Sequence, residues 1–344
     1  MKRIITILLA AALSLLASEA LAHPGSGIVV DPQSNVYFVD TESGVYKIGR
    51  DGKLTKLSAP AYHWMAIDVD NRLGNATLPR FSAGGATVAR SGDAPGILVS
   101  SDFPIAVGPD GALVYPWLGA GEQLDVFRLA PSGATTVLKS LPASLGLRWL
   151  NGIAAARDGS IYFTENRAVR KIAPNGDLTT VVDQVTLSGC DPIPGIETDQ
   201  RPYLRGLDVD AQGAIYVAAS GCRAVLKITP DKKIATVLRT SGPWSPTGVA
   251  ISGSDIYVLE YLHPPGDDRR EWLPRVRKVG PDGSVTIVAA IERQTSGRTG
   301  AARRRPADFG LFLPDRFDRI GGRGTDGSNA DGQGGDGQGV SPTR

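Results

Sequence analysis

The chain has 344 residues, and its 37 Lys and Arg stand against 35 Asp and Glu for a formal net charge of +2, so it carries no electrostatic footprint for nucleic acid. Apolar residues make up 42%, enough for a large core, while 42 Gly and 24 Pro speak for many tight turns and against an all-helical chain.

Residues 1–22 open with Lys2 and Arg3, continue as an apolar run from Ile4 to Ala17, and end in Ala20-Leu21-Ala22 before His23. This pattern predicts a cleaved secretory signal; the run is too short for a permanent span. The mature chain is therefore expected to be periplasmic or secreted, without a membrane span. A mature His23 at the new amino terminus is a weak copper motif that lacks a clear partner.

From residue 26 onward one unit recurs, seen best at 150–182. Ile153–Ala156 is a short apolar run of the kind buried on both faces. Arg157-Asp158-Gly159-Ser160 is a turn, with glycine where the backbone needs a positive φ. Ile161–Thr164 is β-branched and aromatic, Val169–Ile172 alternates apolar and basic, and Pro174-Asn175-Gly176 leads into Leu178–Val182. Four short antiparallel strands in one such unit make a propeller blade. Equivalent inner strands are read at Ile28–Asp31, Met65–Asp68, Ile105–Gly108, Ile153–Ala156, Leu207–Asp210 and Val249–Ser252. The fold class is thus all-β, a six-bladed β-propeller of four-stranded antiparallel blades over 23–292. Blade 2 is degenerate, since residues 70–86 lack a clear second strand. Lys47, Arg90, Arg128, Lys171, Lys227 and Lys278 fall in one register of the third strands and are expected on a solvated outer face.

Residues 293–344 change character. Arg298, Arg303, Arg304 and Arg305 cluster, and Gly321–Gly339 offers almost nothing to bury, so a disordered tail is expected. Its Arg cluster reads as a solvated linker or as a phosphate- or surface-binding patch. Cys190 and Cys222 are the only cysteines. Export favours a disulfide between them, and both segments should emerge on one face; a metal or redox pair would need more ligands.

The segments entering the inner strands and the loops between second and third strands share one face, here the top. All five Trp fall there (Trp64, Trp117, Trp149, Trp244, Trp272), as do His23, His63 and His263. Such crowding predicts a binding mouth at the central channel, although each Trp equally suits a wedge between blades. The residues two places before each inner strand should ring that mouth: Ser26, His63, Phe103, Asn151, Arg205 and Thr247. Gly27, Trp64, Pro104, Gly152, Gly206 and Gly248 follow them, with glycine expected to let the chain bend into the strand.

Asn151-Gly152-Ile153-Ala154, Asp158-Gly159 and Tyr162-Phe163-Thr164-Glu165 together resemble the blade motif of the SMP-30/gluconolactonase and strictosidine-synthase-like superfamily. Thr247–Ile251 with Ile256-Tyr257-Val258 is also similar to NHL repeats. The resemblance spans 26–290 and implies a divalent cation such as calcium at the mouth. Its ligands would be a Glu before the first inner strand, two Asn before middle strands and an Asp before a later one. Of these positions only Asn151 matches; the others read Ser26, Phe103 and Arg205. A guanidinium repels a cation, and the His-dependent sites of the lyase relatives are incomplete here. Quinone-dependent dehydrogenases need more basic and His residues than this mouth offers.

The candidate mouth is therefore His63, Trp64, Trp149, Asn151, Arg205, Trp244 and Glu260, with Glu165 and Tyr261 beside them. Arg205 can clamp a carboxylate or phosphate, or pair with a nearby acid; His63 can act as a base, or brace a loop. Leu262–Glu271 reads as a lid or a solvated insertion. Two functions follow: an exported NHL-type propeller that binds a small anionic ligand or an extracytoplasmic protein, or a divergent gluconolactonase-like hydrolase or lyase with a divalent metal.

Overall fold

A computed structural model describes residues 24–74, 77–78, 86–89, 95–101, 103–119, 123–190, 201–263 and 272–292. The expected signal, His23, Arg90, the tail and all but the first two residues of the 262–271 loop lie outside these residues. Among the described residues no helix is long and apolar enough to cross a membrane.

The protein is a propeller of antiparallel sheets. Blade 1 holds β1 (Ile28–Val30), β2 (Val36–Asp40), β3 (Gly44–Ile48) and β4 (Leu54–Lys56). The next sheet holds β5 (Trp64–Asp68), β6 (Ala86–Ala89) and β7 (Gly96–Ser100). Then follow β8 (Ala106–Val107), β9 (Leu113–Leu118), β10 (Leu124–Leu129) and β11 (Thr135–Ser140); and β12 (Gly152–Ala155), β13 (Ile161–Thr164), β14 (Val169–Ile172) and β15 (Leu178–Val182). The last two sheets are β16 (Leu204–Val209), β17 (Ile215–Ala219), β18 (Ala224–Ile228) and β19 (Ile234–Arg239), and β20 (Trp244–Ser252), β21 (Asp255–Leu262), β22 (Pro274–Val279) and β23 (Val285–Ala290). Among the described residues five sheets have four strands in simple meander order, and the sheet of β5 has three. Neighbouring inner strands touch in a closed circuit, β1 to β5, β8, β12, β16, β20 and back to β1.

The three-stranded sheet departs from the expected four strands. Its order is β5-β7-β6, so the strand latest in sequence pairs with the inner strand. The cause begins at Asp68, whose carboxylate accepts the N–H groups of Arg72 and Leu73 at 3.0 and 2.7 Å. That cap turns the chain away from an immediate hairpin and buries Leu73 among Trp64, Leu98 and Phe103. Gly96–Ser100, fully apolar but for its last residue and buried throughout, takes the second place instead.

Bottom turns follow the sequence. Asp51, Asp110, Asp158 and Asp282 each accept the N–H two residues on, and Gly52, Gly111, Gly159 and Gly283 after them hold φ of +77°, +77°, +82° and +79°. The third-strand cations are not merely solvated. Lys47, Lys171 and Lys227 lie 5.6, 5.4 and 5.1 Å over the rings of Tyr37, Tyr162 and Tyr216 on the facing strands, and Arg128 and Lys278 pair with Asp110 and Asp255.

The core is five apolar clusters: four each lie between two neighbouring sheets, and the fifth packs both flanks of the first sheet. No strand is shared between the first blade and the last. The seam is closed by the cluster that joins Val39 and Phe38 to Leu259 and Tyr261, and by the Tyr261 hydroxyl, which donates to the Val39 carbonyl at 2.8 Å. Cys190 and Cys222 form the expected disulfide, tying the connection into β16 to the 3-10 turn Ser220–Cys222. The same turn is pinned to β20: Ser220 donates to the Pro246 carbonyl, and Ser245 to the Ser220 carbonyl.

Candidate functional site

The channel mouth is lined by eleven residues, drawn from all six sheets. Its wall consists of Ser26, Trp64, Pro104, Gly152 and Gly206 above Ile28, Met65, Ile105, Ile153, Leu207 and Val249. The second group is one residue from every inner strand, each at most 8% exposed, and together they form an apolar belt around the axis. The glycines above the belt serve close approach rather than bending. A Cβ on Gly248 would lie 2.3 Å from the Ser26 carbonyl oxygen, and one on Gly152 would lie 2.5 Å from that of Arg205. Where the pattern reads Trp64 and Pro104, those residues line the channel instead.

Arg205 and Thr247 sit at register shifts, between Leu204 and Leu207 and between Pro246 and Gly248. A bulge of this kind re-aims a side chain out of the regular pleat. Arg205 is turned toward the seam: its Nη2 donates to the Pro24 carbonyl at 2.7 Å, and the residue is 9% exposed. Among the described residues no carboxylate pairs with it. Burial lowers its pKa, opposed by Tyr203 and Tyr261. His263 stands in the same cluster. Burial of the ring, then the charges of Arg205 and Arg223, push its pKa down to about 4, so it is neutral at pH 7. The ring leans on Trp272 at 5.1 Å.

The remaining predicted residues separate into lining and struts. Trp64 lines the channel and is buried. His63 braces a loop, its Nδ1 2.8 Å from the Ser101 carbonyl, while its own carbonyl accepts the N–H groups of Ser26 and Gly27. Asn151 donates to Asn166 Oδ1 at 2.9 Å and to the Leu204 carbonyl at 3.0 Å, tying β12 to β16. Trp149 is 39% exposed and is not part of the channel wall. Trp244 is covered by the Arg275 guanidinium at 3.9 Å. Glu260 is fully buried and accepts from Thr240 Oγ1 at 2.5 Å, Arg275 Nε at 2.6 Å and Arg277 Nη1 at 3.2 Å. Glu165, its counterpart in the blade of β12, is likewise paired with Arg170. Glu260 and Trp244 are thus one bracket, not ligand-facing groups.

The pattern of ring positions misses the apolar belt beneath them. The belt was legible as an apolar residue after each glycine or its substitute. Ser26 is 7% exposed, and its Oγ is buried without a hydrogen-bond partner. A cation at the mouth fits poorly with these residues. Among the described residues no three His, Cys, Asp or Glu side chains converge as metal ligands, and the position next to Asn151 round the ring is Arg205.

No protein-family model matches the chain, and no curated protein matches it. Solved structures do match. Virginiamycin B lyase from Staphylococcus aureus is 18% identical, with 78% of this chain and 85% of that chain covered and a TM-score of 0.41. A calcium-binding protein, regucalcin, from Agrobacterium tumefaciens is 19% identical, with 72% and 85% covered and a TM-score of 0.46. A putative gluconolactonase is 18% identical, with 78% and 90% covered and a TM-score of 0.46.

Proposed function

We propose that the protein is an exported, NHL-type, six-bladed propeller, with the three-stranded sheet as its second blade, that binds a small anion at the top of its channel. One observation carries the reading: Arg205 is a nearly buried guanidinium whose hydrogen bond goes to the Pro24 carbonyl and which has no carboxylate partner among the described residues. A desolvated cation without a counterion is costly, and an anion arriving from solvent relieves that cost. Neutral His263 beside it lets the positive charge stand without a second protonated neighbour from that ring. Low dielectric at the site strengthens a charge-assisted contact.

The metal-dependent hydrolase or lyase reading has less support, because the other three ligand positions are Ser26, Phe103 and Arg205, and a guanidinium repels a cation. The test is thermal shift of the mature protein with phosphate, acetate and gluconate at constant ionic strength, repeated with calcium chloride. Anion-dependent stabilisation that Arg205→Ala abolishes supports the proposal. Stabilisation by calcium alone, unchanged in Arg205→Ala, refutes it.

A further inference from the structure

At every other junction of the ring the chain itself passes from one sheet to the next. At the seam between the sheets of β1 and β20 no connecting chain crosses among the described residues. The four residues before β1 take its place. Pro24, Gly25, Ser26 and Gly27 are all buried. The Pro24 carbonyl accepts from Arg205 Nη2 of β16 at 2.7 Å. The Ser26 and Gly27 N–H groups donate to the carbonyl of His63, just before β5, at 2.8 and 3.0 Å. The strap is thus anchored on the sheets of β16 and β5, one place beyond the seam on either side. Between those anchors it lies on the seam itself. A Cβ on Gly25 would stand 2.5 Å from Val39 Cγ2 of β2, and a Cβ on Gly248 of β20 would stand 2.3 Å from the Ser26 carbonyl oxygen. The Tyr261 hydroxyl of β21 reaches the same Val39, donating to its carbonyl at 2.8 Å.

The ring that the strap closes is shut. The space within the belt is about 40 Å³, enough for water and too little for a small molecule. Access to the belt therefore requires two neighbouring belt residues to part. Ile28 and Val249 are the belt residues on the two sides of the seam. Their sheets are held together by side-chain packing, the Tyr261 bond and the strap, with no connection to stretch as they separate. Openings of this kind follow the least constrained boundary between cooperative units. We propose that the seam is the gate of the channel and that Pro24–Gly27 is its bolt: the sheets of β1 and β20 part as units, Ile28 leaves Val249, and the grip of the strap sets how often this happens. The gate is independent of anion binding, since it needs only the bond from Arg205 to Pro24.

The test is native-state thiol labelling of the mature protein with iodoacetamide. The two natural cysteines are joined, so an introduced cysteine is the only free thiol. Ala250→Cys places it in the seam, and Ala154→Cys places it at the matching position of β12, between the sheets of β12 and β16; the two alanines are 3% and 6% exposed. Labelling of Ala250→Cys should be roughly tenfold faster or more, because its junction opens without global unfolding. Two further changes loosen the closure without touching Arg205. Gly25→Ala pushes the strap off Val39, and Tyr261→Phe removes the bond beneath it, so one serves if the other fails to fold. Either should speed labelling of Ala250→Cys by roughly tenfold and leave Ala154→Cys at its own rate. Equal labelling of the two cysteines in the otherwise unaltered protein overturns the seam as the gate. Acceleration of both by the same factor is a loss of global stability and overturns the strap as the bolt, as does labelling that both folded closure variants leave unchanged.

Discussion

Glu260 makes the sharpest stability prediction. Its carboxylate is fully buried and joins Thr240 on β19's far end to Arg275 and Arg277 of β22, while Arg275 also covers Trp244. Glu260→Ala removes the acceptor of three bonds and leaves two guanidiniums facing one another. Deleting one partner of a buried pair costs about 3–5 kcal/mol. The two Arg side chains retain 14% and 17% exposure, so partial rehydration places the loss at the lower end, about 3 kcal/mol. At about 2–4 °C per kcal/mol this is a fall in Tm of about 6–12 °C. Glu165→Ala should cost less, because Arg170 keeps Thr180 and the exposed Asp183 as partners. The assay is urea unfolding of both variants, with Arg275→Ala and the double variant completing a cycle. A Glu260→Ala loss under about 1 kcal/mol, or additive single and double losses, would refute the bracket.

Three further outcomes follow. Asp208 accepts the Ile251 N–H across two inner strands, and burial raises its pKa to about 6. A raised acid favours the folded state fully below its unfolded pKa and loses that contribution as pH rises toward 6, so Asp208→Asn should gain about 1–3 kcal/mol over wild type at pH 7 and nothing at pH 3.5; an unchanged difference across that range of melts counts against it. His263 has the opposite sign: its lowered pKa gives stability present above about 6.5 that is lost as pH falls toward 4, and melts of His263→Gln should lack that acid loss. Reduction of Cys190–Cys222, which spans 32 residues, should lower stability by about 3–4 kcal/mol in the chain-entropy relation, and thiol labelling of unreduced, unfolded protein should find neither cysteine.

Much of the fold was legible because propeller blades repeat. Gly after Asp in the bottom turns, the Tyr on second strands and the basic residue on third strands recur with fixed offsets, and every inner strand appears where the repeat places it. The β5 sheet was not legible in its pairing: swapping the order of two strands leaves each strand's own pattern unchanged, and the Asp68 cap that forces the detour looks like any turn aspartate. The site was legible only in part. Position in the repeat places Trp64 and Ser26 along the channel wall, yet it gives no account of which way a side chain turns. Arg205 and Thr247 lie at bulges, and Glu260 faces inward to Arg275 and Arg277, which are distant in sequence. The pattern alone suggests bends at the glycines before the inner strands, whereas the neighbouring strand's carbonyl excludes a side chain there.

The central claim is that an anion binds at the rim of the channel beside Arg205. The most direct measurement is the anomalous map of mature-protein crystals soaked in 4-bromobenzoate. The account predicts an ordered bromobenzoate, located by its bromine peak, with the carboxylate within hydrogen-bond distance of the Arg205 guanidinium. Bromobenzoate ordered elsewhere in the crystals with none at Arg205 would contradict it.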